Sequence, residues 1–164
     1  MAIHEIRVAN TEKDVRGQEI AHEAQRTIGV PGLKKVRTAR VYRLEGITED
    51  GAKKLAEILF CETIDQKYRL NGHLITDTPH VLEVAYKPGV MNPEVASIIK
   101  SAKDLGINLI AADSSIEYGF YGKIDKKEME FIVEKLLVNK MLERVITKKS
   151  KTLLIKGSPG KTAT

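Results

Sequence analysis

The chain has 164 residues, 42% of them hydrophobic and 30% charged, the balance of an ordinary globular protein with room for one medium domain or two small ones. Lys and Arg outnumber Asp and Glu by 27 to 22, giving a net charge of +5, but with 5% aromatic residues and no Trp there is little surface on which nucleic-acid bases could stack. No apolar run approaches the roughly 18–20 residues of a membrane helix, the opening MAIHEIRVAN lacks the basic-then-apolar pattern of a secretory leader, and the single Cys61 excludes an internal disulfide or a thiolate cluster, so a reducing cytoplasm is the expected location.

Alternation of Ile6 and Val8 predicts a first half-buried strand, and Ile20, Ala21, Ala24 and Ile28 then share a helical face that ends at Gly29. No Gly or Pro interrupts residues 34–45, which predicts one long strand rather than a tight hairpin. Thr48 is placed to cap a second helix, with Ala52, Leu55, Ala56 and Leu59 on one face, and a short strand over residues 66–70 closes the segment. The polar stretch NGHLITDTPH (71–80) then connects to a second run of the same kind.

That run opens with Val84 and Tyr86 in alternation and continues through YKPGVMNPE. Here Lys87, Pro88 and Gly89 read as a turn leaving the strand, and Asn92 with Pro93 as an N-cap followed by the first helical position. The free N–H groups of a helix start can hold an anion, but a single Gly is a poor phosphate cradle, so the stretch is read as punctuation. Val95, Ile98, Ile99, Ala102 and Leu105 line the helix up to Gly106, and residues 109–122 read as a strand in which Ile116, Tyr118 and Phe120 alternate. Asp125, with Glu128 three residues on, forms a capping box for a helix bearing Met129, Ile132, Val133, Leu136 and Leu137, and residues 143–147 supply the last strand.

The two runs repeat one another. Glu5, Ile6 and Val8 precede Glu83, Val84 and Tyr86 by 78 positions, and Gly29 and Leu59 precede Gly106 and Leu136 by 77. The expected architecture is therefore α+β. Two tandem βαβαβ units resembling a ferredoxin-like fold, at 1–70 and 80–147, carry their helices on one face of a mainly antiparallel sheet. Residues 71–79 form the linker and residues 148–164 a basic tail.

Chemistry-bearing patterns are sparse. GSPGKTAT imitates a nucleotide-binding loop, but the position five before Gly160 is Ile155 and four residues follow that Gly, so the required Gly and helix are missing. His4, His22, His73 and His80 form no zinc-protease pair, no GxSxG occurs, and no catalytic or metal-ligating residue is assigned.

LEVAYKPGVMNPE resembles the opening of the PurS subunit of phosphoribosylformylglycinamidine synthase: a strand, Lys-Pro-Gly-Val, Asp-Pro-x-Gly, then a helix. VRTARVYRLEG, with Val36, Arg37 and Tyr42, resembles that family's second strand, and LAEILFCETIDQKYRL its last helix and strand. Two such units in tandem resemble the PurS-like N-terminal region of some synthase large subunits. The first unit keeps Asp14 and Gly17 but has Asn10-Thr11-Glu12 for Pro-Gly-Val. The second has Asn92 for the Asp, Val95 for the Gly, and DSSIEY in place of the Val-Arg strand.

The resemblance implies a place in purine biosynthesis, within an ATP-dependent carbon–nitrogen ligase that uses glutamine. The chain would be a non-catalytic bridge between synthetase and glutaminase components. It would carry no cofactor of its own, with ATP and Mg bound in the partner domain. Its turn and cap residues would be structural, and Arg37 and Tyr42 would be available for interaction. A tandem module that binds a small metabolite between its halves is the alternative, and a basic nucleic-acid binder a weaker third.

Overall fold

A computed structural model describes residues 3–62, 64–138 and 143–146; the basic tail and Thr147 lie outside these residues. Among the described residues six strands form one antiparallel sheet: β1 (Ile3–Asn10), β2 (Leu33–Glu45), β3 (Gln66–Leu70), β4 (His80–Tyr86), β5 (Ala111–Gly122) and β6 (Glu143–Ile146). Their order across the sheet is β3-β1-β2-β5-β4-β6. Four helices among the same residues complete an α+β fold: α1 (Val15–Glu23), α2 (Glu49–Leu55), α3 (Val95–Asp104) and α4 (Lys126–Ile132). Among the described residues, no helix is long and apolar enough to cross a membrane.

Strand register shows that all four helices cover the same face. Ile6 lies opposite Tyr42, Leu44 opposite Ala112, Val36 opposite Phe120 and Leu82 opposite Tyr118, and every one of these residues is buried against a helix. Because side chains alternate along a strand, the residues of β1, β2, β4 and β5 that lie between these and their same-phase neighbours project from the other face.

The two cores on the helical face cross the repeat boundary. One joins Leu55 and Ala56 of the α2 segment with Val95, Ile98 and Ala102 of α3. The other joins Ile20, Ala21 and Ala24 of the α1 segment with Ile132, Val133 and Leu137 of the α4 segment. Each core thus contains one helix from each run.

Three helices end in π-helical turns, at Ala24–Ile28, Ala56–Phe60 and Val133–Leu137. The wider i→i+5 bonding, as in Cys61 N–H to the Ala56 carbonyl at 2.9 Å, rotates the later residues away from the phase expected of an α-helix. Leu59, expected in the core, is consequently 37% exposed, whereas Cys61 is buried. The caps read from sequence at Thr48 and Asp125 are present. The Thr48 hydroxyl accepts from Gly51 N–H at 3.0 Å, and Asp125 accepts from Glu128 N–H at 2.7 Å while Glu128 Oε1 accepts from Asp125 N–H.

Candidate functional site

The sheet face opposite the helices is where charge is buried. The alternation that sends Ile6 and Val8 into the helical core sends Glu5, Arg7 and Ala9 to this side, joined by Arg43 from β2, Glu83 from β4, and Ser115 and Glu117 from β5. Arg43 donates from Nε to Glu5 Oε2 at 2.7 Å, from Nη1 to Glu83 Oε2 at 2.5 Å and from Nη2 to Glu83 Oε1 at 2.9 Å. The Ser115 hydroxyl donates to Glu83 Oε2 at 2.6 Å. Burial alone would lower the Arg43 pKa, but hydrogen bonds and charge from Glu83, then Glu5, outweigh it and hold the guanidinium above its ordinary value.

Arg7 spans the neighbouring strand in the same way. Its Nε donates to Glu117 Oε2 at 3.2 Å and its Nη1 to the Gly72 carbonyl at 3.1 Å. Glu117 is 3% exposed, and its second oxygen, Oε1, has no hydrogen-bond partner among the described residues. A buried polar atom left unpaired costs about 1–3 kcal/mol, and more when the group is charged. His73 Nδ1 lies 3.9 Å from Glu117 Oε2, with its side chain 44% exposed.

The segment 71–79 is the cover over part of this face rather than a free connection. Ile75 is buried against Ala9 and Ala39, and a Cβ on Gly119 would sit 2.5 Å from Ile75 Cγ2, so the glycine makes room for it. Thr78 Oγ1 donates to the Phe120 carbonyl at 2.6 Å, and the Tyr121 hydroxyl donates to Asp77. That bond, helped by the nearby Arg37 charge, holds Asp77 below the usual carboxylate range.

Beside the cover a cleft of about 890 Å³ wraps round the start of β4, where β6 does not pair with it. Val81 and Glu83 line it from one sheet face, while Leu82, Met129 and Val133 line it from the other. Arg7, Arg43 and Glu117 lie at its polar end. The arrangement offers a carboxylate acceptor beneath apolar walls. Among the described residues no group of three or more His, Cys, Asp or Glu side chains is placed to hold a metal ion.

The residues singled out from sequence lie elsewhere. Lys87, Pro88 and Gly89 form a turn closed by Val90 N–H to the Lys87 carbonyl at 3.0 Å, with Gly89 at φ +84°. Helix α3 begins at Val95 with Glu94 at its N-cap, so Asn92 is not the cap and Pro93 is not the first helical residue; Asn92 Oδ1 instead accepts from Glu94 N–H at 3.0 Å in the turn that leads into the helix. Asn92 is also 2% exposed and donates from Nδ2 to Asp113 Oδ1, the Ser114 carbonyl and the Ser114 hydroxyl, so it anchors the helix entry to β5.

Asp14, 78 positions earlier, does the corresponding work on β2. Its Oδ1 accepts from Gly17 N–H at 2.8 Å and its Oδ2 from Thr38 N–H at 2.6 Å. Gly17 belongs to α1 itself, where a Cβ would be 2.0 Å from the Val36 carbonyl oxygen. Tyr42 is a core residue stacked on Phe60, ring centroids 4.0 Å apart, and Arg37 stands near Asp77 and Tyr121 at the cover.

Reading the sequence alone passes over Arg7, Arg43, Glu83 and Glu117, because a charge alternating with apolar residues in a strand normally faces water. The signal available was a charged residue on every central strand with the same phase. No protein-family model matches the chain, and no curated protein matches it.

Proposed function

We propose that the chain is a PurS-like, non-catalytic bridging component of phosphoribosylformylglycinamidine synthase. In this reading two βαβαβ units, each resembling a ferredoxin-like fold, are fused in tandem and hold synthetase and glutaminase components in one cytoplasmic assembly. The observation that carries the reading is the sheet order β3-β1-β2-β5-β4-β6, in which the three strands of the second run follow those of the first in reverse order about the antiparallel β2–β5 pair, as expected for repeated units joined about a local two-fold.

Further support comes from what the family-like motifs do. Lys87-Pro88-Gly89 makes a turn, while Asp14 and Asn92 tie helix entries to strands, which are scaffold roles. Strand β3 stands at one margin of the sheet, with exposed Ile58 and Leu59 on the adjacent α2 segment, and such an edge with apolar neighbours suits docking another protein. ATP, Mg and the glutaminase nucleophile belong, in this reading, to the partners.

The test is reconstitution. Synthetase and glutaminase components are assayed for glutamine- and ATP-dependent amidine formation with and without this chain. Activity that is lost on its removal and restored on adding it back is the expected result. Full activity without it, or ATPase or glutaminase activity from this chain alone, overturns the proposal.

A further inference from the structure

We infer that the cleft along β4 is a binding site for a small organic cation, a primary ammonium or amidinium carried on an apolar body, with Glu117 as its counter-ion. Three observations converge on this class of ligand. Glu117 lies at the polar end of a cleft of about 890 Å³, and its Oε1 is buried with no hydrogen-bond partner among the described residues. Its other oxygen is already committed to Arg7 at 3.2 Å, which fixes the carboxylate and leaves the free oxygen as a preset acceptor.

Charge selects the sign of the ligand. Among the described residues lining the cleft, Arg7, Arg43 and Lys126 are outnumbered by Glu83, Glu117, Glu130 and Glu134. Since Arg43 is already held by Glu83 and Glu5, and Arg7 by Glu117, the guanidiniums offer little to an anion. A cation therefore improves the balance and an anion worsens it.

The walls select the rest of the molecule. Val81, Leu82, Met129, Val133 and Val138 give an apolar surface that would bury a hydrocarbon body while the donor head meets the carboxylate, the usual division of labour in a small-molecule pocket. His73 stands beside the same carboxylate, its ring 44% exposed and its Nδ1 3.9 Å from Oε2, the oxygen already bonded to Arg7, so it leaves Oε1 to the ligand's donor. This site is separate from the bridging role, and failure of an amine to bind would leave the reconstitution assay unaffected.

Calorimetric titration of the full chain with three isosteric probes, benzylammonium, benzyl alcohol and benzoate, tests the inference. Benzylammonium is expected to bind saturably, with the alcohol and the carboxylate about 10–100-fold weaker. Glu117→Gln is expected to remove that preference. Should Glu117→Gln not fold, Val81→Arg, at an exposed position of the cleft wall, replaces it and is expected to abolish benzylammonium binding at an unchanged Tm. Equal affinity for ammonium and alcohol, no saturable binding of benzylammonium, or binding that survives Val81→Arg overturns the inference.

Discussion

Arg43 on β2 reaches over β5 to hold both carboxylate oxygens of Glu83 on β4, at 2.5 and 2.9 Å. The same guanidinium holds Glu5, which stands 78 positions before Glu83 and occupies the corresponding place in the first run. One buried cation thus ties the matching carboxylates of both runs together. Arg43→Met would strand two carboxylates in a buried setting and is expected to cost about 3–5 kcal/mol in urea denaturation. The double variant Arg43→Met with Glu83→Leu should recover part of that loss, because an apolar pair replaces the ion pair. A single variant within about 1 kcal/mol of the parent would show that the network contributes little.

Gly17 in α1 and Gly89 in the turn after β4 both belong to family-like motifs, but they are glycines for different reasons. A Cβ on Gly17 would meet the Val36 carbonyl oxygen at 2.0 Å, so Gly17→Ala has to push α1 off β2 and is expected to destabilise by about 3 kcal/mol or more. Gly89 has φ +84° and open space around it, so Gly89→Ala meets only the left-handed backbone penalty of about 1–2 kcal/mol. Thermal or urea unfolding of the two variants side by side distinguishes them; equal losses would contradict the close-approach account. The second run has Val95 where the first has Gly17, and its helix starts at that residue instead of two positions earlier.

Asp14 and Asn92 offer a matched pair of helix entries. Asp14→Ala loses an N-cap bond and the link to Thr38, an expected cost of about 2 kcal/mol. Asn92→Ala loses bonds to Glu94, Asp113 and Ser114 at a position 2% exposed, and the expected cost is larger, about 2–4 kcal/mol. Denaturation midpoints compare them directly, and an Asn92→Ala loss smaller than that of Asp14→Ala would show that the buried bonds of Asn92 contribute less than the N-cap of Asp14.

The local features of this fold were legible because they depend on neighbours in sequence. The strand of Ile116, Tyr118 and Phe120 follows from period-two alternation, and the capping box of Asp125 and Glu128 from their spacing. The helix ends were less legible. The π-helical turn at Ala56–Phe60 shifts the phase by which Leu59 was placed in the core, and nothing in the spacing of apolar residues announces it. The cleft was not legible at all. Arg7, Arg43, Glu83 and Glu117 come from four strands, and each alternates with apolar or small residues of the helical face in a pattern that looks solvated until the sheet is assembled. Ile75 sits in a segment whose Asn, Gly, Asp and Pro content reads as a linker, and its burial depends on Gly119, far along the chain.

The arrangement of the cores yields a prediction about the halves themselves. Leu55 and Ala56 pack with Ile98 and Ala102, while Ile20 and Ala24 pack with Ile132 and Leu137, so a fragment of residues 1–79 keeps its helices but loses the surface each was built to cover. It also exposes β2, whose register with β5 runs from Leu33 to Glu45. An unpaired central strand beside two half-covered apolar faces is a strong drive to association. The 1–79 fragment is therefore expected to be either unfolded or a self-paired dimer through β2, measured by light scattering and circular dichroism. Mixing it with the 80–164 fragment should restore a one-to-one complex with the cooperative unfolding of the full chain. A monomeric 1–79 fragment that unfolds cooperatively on its own would show that each half carries a sufficient core, and that the shared packing is secondary to it.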